Sequence, residues 1–144
     1  MSTGDPPREG LQEMSGADCL KMLRGNDLGR IAVVDHAGHP LIFPINYFFD
    51  EGVVVFRTAP GTKLDVAPGA YVCFEIDGWD RAAGTGWSVM VKGIAHDVTN
   101  PRSAPTGRMK LWPVHPAVPG SRENWIGIWA NEITGRKFQP AQAT

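Results

Sequence analysis

Val53-Val54-Val55-Phe56-Arg57-Thr58-Ala59-Pro60-Gly61-Thr62-Lys63-Leu64 is the stretch around which the other segments fall into order. Its β-branched run predicts a strand, Pro60-Gly61 a turn, and Thr62-Lys63 the opening of a short helical turn ahead of Pro68. Several kinds of phosphate donor meet here. Arg57 offers a planar fork, Lys63 a compact ammonium, and Thr58 and Thr62 hydroxyls, while a turn before a helix start leaves backbone N–H groups free to face an anion. The same residues also suit an ordinary strand and surface turn with two solvated basic side chains. A nucleotide P-loop is disfavoured, because that motif requires glycine five positions before its Gly-Lys-Ser/Thr ending. Phe56 stands there instead, and the order reads Gly61-Thr62-Lys63.

Upstream, the apolar period is two. Ile31 to Val34 predicts one strand, His36-Ala37-Gly38-His39 a hairpin turn, and Leu41 to Phe49 a second strand, which Asp50-Glu51-Gly52 turns into Val53 to Thr58. Pro44 lacks a ladder donor, so it marks an edge, a bulge or a place where pairing opens around a ligand. Before this meander, Ser15-Gly16-Ala17-Asp18 has the layout of a capping box with Asp for Glu. It predicts a helix from Gly16 to Arg24 that stops at Gly25. Residues 1–12 carry Pro6, Pro7, Asp5 and Glu9 without an apolar core, which reads as a disordered lead-in rather than a signal peptide.

Downstream, Tyr71 to Asp77 predicts a strand, Gly78 to Gly86 a polar loop, and Trp87 to Val98 a long strand. Pro101 to Leu111 suits a short helix, and Trp112 to Gly120, with three prolines, an extended loop. Trp125 to Trp129 reads as the last strand, Asn131 to Phe138 as a closing segment, and residues 140–144 as a frayed tail. Six short strands with few helices predict a β-barrel or sandwich, a single domain over residues 13–139. No β-α-β alternation with a Gly-rich first turn is present, which argues against a Rossmann-type dinucleotide site.

A chain of 144 residues with 42% apolar and 20% charged residues suits one soluble domain. Its net charge of −1 gives no global electrostatic case for nucleic acid or anionic lipid, and no apolar run approaches a membrane span. Cys19 and Cys73 form no Cys-x-x-Cys pair, which suits a reducing, cytoplasmic setting.

Taken together, Gly29-Arg30-Ile31-Ala32-Val33, Phe43-Pro44-Ile45-Asn46-Tyr47, the opening stretch, Thr85-Gly86-Trp87-Ser88-Val89-Met90-Val91-Lys92-Gly93 and Glu132-Ile133-Thr134-Gly135-Arg136 resemble the pyridoxamine 5'-phosphate oxidase-like flavoproteins. The resemblance implies the FMN-binding fold of that family: a mainly β, six-stranded split β-barrel with an N-terminal helix and one or two short helices. It implies FMN, with its phosphate held by Arg57, Thr58, Thr62 and Lys63 and the backbone of Pro44, Ile45 and Asn46 against the ring. Trp87 and Ser88 would pack on and hydrogen-bond the flavin, and Trp129 and Arg136 would approach it from the C-terminal strand. For Trp129 a core or interface aromatic is an equal alternative. A homodimer sharing two equivalent sites is also implied, and the size of the barrel agrees, since side chains fill a small barrel and leave a flavin only a groove.

The segment in which authentic pyridoxamine phosphate oxidases carry an Arg-Leu-His-Asp-Arg type sequence is here Asn131-Glu132-Ile133-Thr134-Gly135-Arg136. The closer likeness is to small actinobacterial-type members, some of which use a deazaflavin. The functional expectation is an FMN-dependent oxidoreductase acting on a small molecule, with a deazaflavin-dependent reductase or a non-catalytic flavin carrier as alternatives. Gly86-Trp87-Ser88-Val89-Met90 is not a nucleophile elbow, because Met90 replaces the last glycine and a strand follows. The four histidines show no metal-ligand spacing. Glu75 and Asp77 share one strand face and suit either acid–base work or pairing with Arg or Lys.

Overall fold

A computed structural model of the chain describes residues 10–58, 63–99 and 124–140. Its elements are β1 (Leu11–Glu13), α1 (Gly16–Arg24), β2 (Leu28–Val34), β3 (Pro40–Asp50), β4 (Val53–Thr58), a 3-10 turn (Lys63–Val66), β5 (Tyr71–Asp80), β6 (Thr85–Asp97) and β7 (Asn124–Phe138). The sheet runs β1-β7-β4-β3-β2-β5-β6, and β6 pairs again with β7. Strands β2 to β7 thus close into the expected six-stranded antiparallel barrel.

Alternation decides which side chains fill it. Ile31 and Val33 of β2, Val72, Phe74 and Ile76 of β5, and Val89, Val91 and Ala95 of β6 are buried inside. Phe74 packs edge-on against Tyr47 with ring centroids 4.8 Å apart. The helix closes one end of the barrel. Ser15 Oγ accepts from the Asp18 N–H at 3.1 Å, capping α1, and the Tyr47 hydroxyl donates to the Leu23 carbonyl at 2.7 Å near its other end. Gly135 on β7 admits the helix, since a Cβ there would meet Cys19 Sγ at 2.6 Å and Met14 Sδ at 2.9 Å.

Three boundaries differ from the sequence expectation. Leu11 and Gln12, assigned to the lead-in, pair with Phe138 and Lys137 as part of β1. The loop expected over Gly78 to Gly86 contracts to a turn at residues 81–84, with Asp80 Oδ1 accepting from the Ala82 and Ala83 N–H groups at 3.1 and 3.2 Å. Gly78 and Gly86 are strand residues lacking side chains because neighbouring rings cover them, Trp87 over Gly78 and Trp79 with Phe138 over Gly86. Lastly, Trp125 to Trp129 and Asn131 to Phe138 form one strand. Lys92 pairs with Glu132 and Gly93 with Ala130, leaving Asn131 as the extra residue of a β-bulge. The helix expected over Pro101 to Leu111 and the loop over Trp112 to Gly120 lie outside the described residues.

Candidate functional site

Strand β3 has eleven residues, yet its register with β4 covers only Tyr47↔Phe56 to Asp50↔Val53. Before Tyr47, β3 stays on β2, while β4 continues beside β7 through Arg57↔Trp125 and Thr58↔Asn124. The sheet therefore splits between Asn46 and Arg57.

Backbone alternation shows what faces that split. The Tyr47 N–H donates to the Asp27 carbonyl and the Asp35 N–H to the His39 carbonyl, each at 2.9 Å, so the odd residues of β3 bond toward β2. Ile42, Pro44 and Asn46 consequently turn their backbone groups away from β2, toward the cleft. Pro44 loses no ladder bond there, because its missing donor falls on the side of β3 where pairing with β4 has stopped. Ile45 is buried, whereas Pro44 and Asn46 are exposed.

On the other lip, the Arg57 guanidinium carbon lies 5.6 Å from the centroid of the Trp125 ring. Thr58 beside it is buried. Lys63 opens the 3-10 turn that follows, and Thr62 lies outside the described residues. The structure thus gathers Pro44, Ile45, Asn46, Arg57 and Thr58 at one split in the sheet.

Ser88 and Arg136 pair on the outer face of β6 and β7, whereas Trp87 turns to the inner face with Val89. Ser88 faces Arg136 across the β6–β7 ladder, and Trp87 faces Lys137. From Pro44 the route to β6 runs through Arg30 on β2 and Glu75 on β5 to Met90, three strand spacings or about 14 Å. Trp129 faces Val53 on the same outer side of β7 as Trp125 and touches His96 edge-on, with centroids 5.2 Å apart. Trp129 and Arg136 are seven positions apart on one strand, roughly 23 Å, so within one protomer they do not meet.

Two further residues belong in this account. Trp125, which shares its face of β7 with Trp129, alternates with it across Gly127, and that Trp-x-x-x-Trp spacing is the sequence signal for it. Arg30 Nη1 bonds both Glu75 Oε1 at 3.3 Å and Asp77 Oδ1 at 3.1 Å, which makes the paired carboxylates an ion cluster. Partial burial first, and then Asp77, push the Glu75 carboxyl above its ordinary range despite Arg30. Among the described residues no three His, Cys, Asp or Glu side chains gather into a metal site, and no helix is long and apolar enough to cross a membrane.

Comparison with known proteins agrees with this architecture. The family model described as pyridoxamine 5'-phosphate oxidase matches residues 15–137. The uncharacterized protein Rv0080 of Mycobacterium tuberculosis is 31% identical over 129 residues, 85% of this chain and 82% of that one. The structure of the FAD binding protein from Mycobacterium smegmatis superposes with a TM-score of 0.78 at 33% identity, covering 90% of this chain and 99% of that one. A conserved protein of unknown function from Corynebacterium diphtheriae superposes with a TM-score of 0.74 at 28% identity, over 90% and 99% of the two chains.

Proposed function

The chain belongs to the pyridoxamine 5'-phosphate oxidase family, and from that premise we propose that it is a flavin-binding oxidoreductase whose cofactor enters the split between β3 and β4. The observation that carries this reading is the divergence of the two strands at Asn46 and Arg57. It sets a strand edge unpaired among the described residues, with no donor at Pro44, against a cation and a buried threonine. This donor set suits a flavin nucleotide: Arg57, with Lys63 in the following turn, holds the phosphate next to the ribityl chain, and the β3 edge lies along the ring. When bound, the flavin supplies two-electron transfer, and the protein orients it and excludes water from it.

Two basic groups match one phosphate dianion, which makes FMN the simplest cofactor for this turn. That first phosphate is common to FMN, FAD and the deazaflavins, and the similar mycobacterial structure is of an FAD binding protein, so FAD is the second reading. Ser88 and Arg136, near the opposite end of β7 from Trp125, reach the same flavin from a second subunit.

The visible spectrum of the purified protein and equilibrium dialysis against riboflavin, FMN, FAD and a deazaflavin test the proposal. Flavin absorption together with tighter binding of the phosphorylated forms is expected. Equal binding of riboflavin and FMN would refute the phosphate assignment, and tenfold tighter binding of a deazaflavin, about 1.4 kcal/mol, would make that the cofactor. Bleaching of the bound flavin by a nicotinamide or a reduced deazaflavin separates an enzyme from a carrier.

A further inference from the structure

At the end of the barrel beside α1, a cavity of about 560 Å³ opens between the helix and strands β5, β6 and β7. Its volume falls within the range of about 300–1,000 Å³ typical of small-molecule sites, and neither Arg57 nor Pro44 lines it. Alternation sorts the strand residues around it. Ile76 and Val89 fill the barrel, so Gly78 and Asp80 of β5 and Thr85 and Trp87 of β6 share that inner face, as do Lys137 and Gln139 beyond Gly135 on β7. Trp79, Gly86 and Phe138, the residues between them, turn to the outer face.

The inner face thus presents two rows. Gly78, Trp87 and Lys137 stand opposite one another across the three strands, and Asp80 and Thr85, with Gln139 beside them, form the row nearer the strand ends. A Cβ at Gly78 would run into the Trp87 indole, so bare backbone at that position lets the ring lie against the sheet. Met22 lines the helix side of the same space, and an indole with a thioether makes an apolar slot suited to an aromatic ring.

Charge decides what the ring carries. The Lys137 ammonium is already matched by Asp18 of the helix, whose Oδ2 lies 3.6 Å from Nζ. Asp80 has no cationic partner among the described residues. Its Oδ1 accepts from the Ala82 and Ala83 N–H groups, and Oδ2 remains for a ligand. The lining therefore carries one uncompensated negative charge, beside the Thr85 hydroxyl and the Gln139 side-chain amide. A primary ammonium has three N–H donors, and these three residues offer oxygen acceptors on one face of neighbouring strands.

We infer that this cavity binds a primary arylalkylamine, with its ring between Trp87 and Met22 and its ammonium at Asp80, Thr85 and Gln139. The site is separate from the β3–β4 split, and it does not rest on the flavin reading.

Titration of ¹⁵N-labelled protein with 2-(2-naphthyl)ethylamine, with and without added FMN, tests this through the tryptophan indole N–H signals, each assigned by its Trp→Phe variant. The Trp87 signal is expected to move saturably and further than that of Trp79 on the outer face, while that of Trp125 beside Arg57 stays in place and FMN does not displace the probe. 2-Naphthylacetate, with a carboxylate for the ammonium, is expected to bind at least tenfold more weakly. Asp80→Asn, which keeps an oxygen for the two turn N–H groups, is expected to weaken the amine about tenfold and to leave neutral 2-(2-naphthyl)ethanol unchanged. Non-saturable shifts, larger movement of Trp79 or Trp125, or displacement of the probe by FMN would overturn the site. Equal binding of the carboxylate, or unchanged amine binding to Asp80→Asn, would overturn the ammonium assignment. Failure of FMN to bind with the amine titration intact would count against the flavin proposal alone.

Discussion

Arg57 stands one register step beyond the last β3–β4 pair, where its guanidinium is held over Trp125 rather than extended into solvent. A preorganised fork loses little freedom on meeting a phosphate. Arg57→Ala is expected to weaken FMN binding by about 1.5 to 3 kcal/mol, one to two decades, with riboflavin much less affected, as read by dialysis. Glu75 gives a pH test. Its raised folded-state pKa means that the folded protein holds that proton more tightly than the unfolded chain. The resulting stability is full below the ordinary carboxyl value of 4.5 and is lost as pH rises through the folded value. Thermal unfolding from about pH 4 to 7 is therefore expected to show wild type losing ground to Glu75→Gln as pH rises. Arg57 and Pro44 were legible in the sequence because a fork and a missing donor have few uses on a strand. Gly78 and Gly86 were not: a glycine beneath an indole has the same sequence signature as a glycine in a turn, and only the register opposite Trp87 and Trp79 separates the two.

Element by element, strand β7 is the most demanding, since it pairs with β1, β4 and β6. Ile126 and Ile128 point inward before Asn131, and Ile133 and Gly135 do so after it. That change of parity is why the sequence reads as two segments: an extra residue in a strand resembles a break until its partner strand is known. The bulge brings the Trp129 carbonyl against Gly93, where a Cβ would collide with it. Gly93→Ala is expected to destabilise the fold by about 1–3 kcal/mol in denaturant titrations, more than alanine at an exposed strand position. The extents of β4 and α1 were readable because a β-branched run and a capping residue act locally. The pairing of β1 was not, because Leu11-Gln12-Glu13 carries no pattern of its own and is ordered by the distant Phe138-Lys137-Arg136 edge.

At the scale of the whole molecule, the outer face of β2, β5 and β6 exposes Leu28, Tyr71, Met90 and Ile94 around the Arg30 ion cluster, and Ser88 and Arg136 stand near the opposite end of β7 from Trp125 and the split. A shared site between two copies accounts for both features. Sedimentation is expected at twice 15.6 kDa with or without flavin, and a monomer that still binds flavin tightly would rule out sharing. The route by which the barrel closes also has a consequence in time. The strand that completes it comes last in the chain and joins Leu11 to Phe138 and Gly86 to Phe138 in one row. During synthesis at about 5–20 residues per second, the earlier strands wait for seconds with their edges unpaired. Closure links positions far apart in sequence, which puts folding in the slow regime of roughly milliseconds to seconds. In that interval the nascent chain is open to pairing with a neighbour, so the exposure of this fold to aggregation is set by how quickly its final fifteen-residue strand arrives.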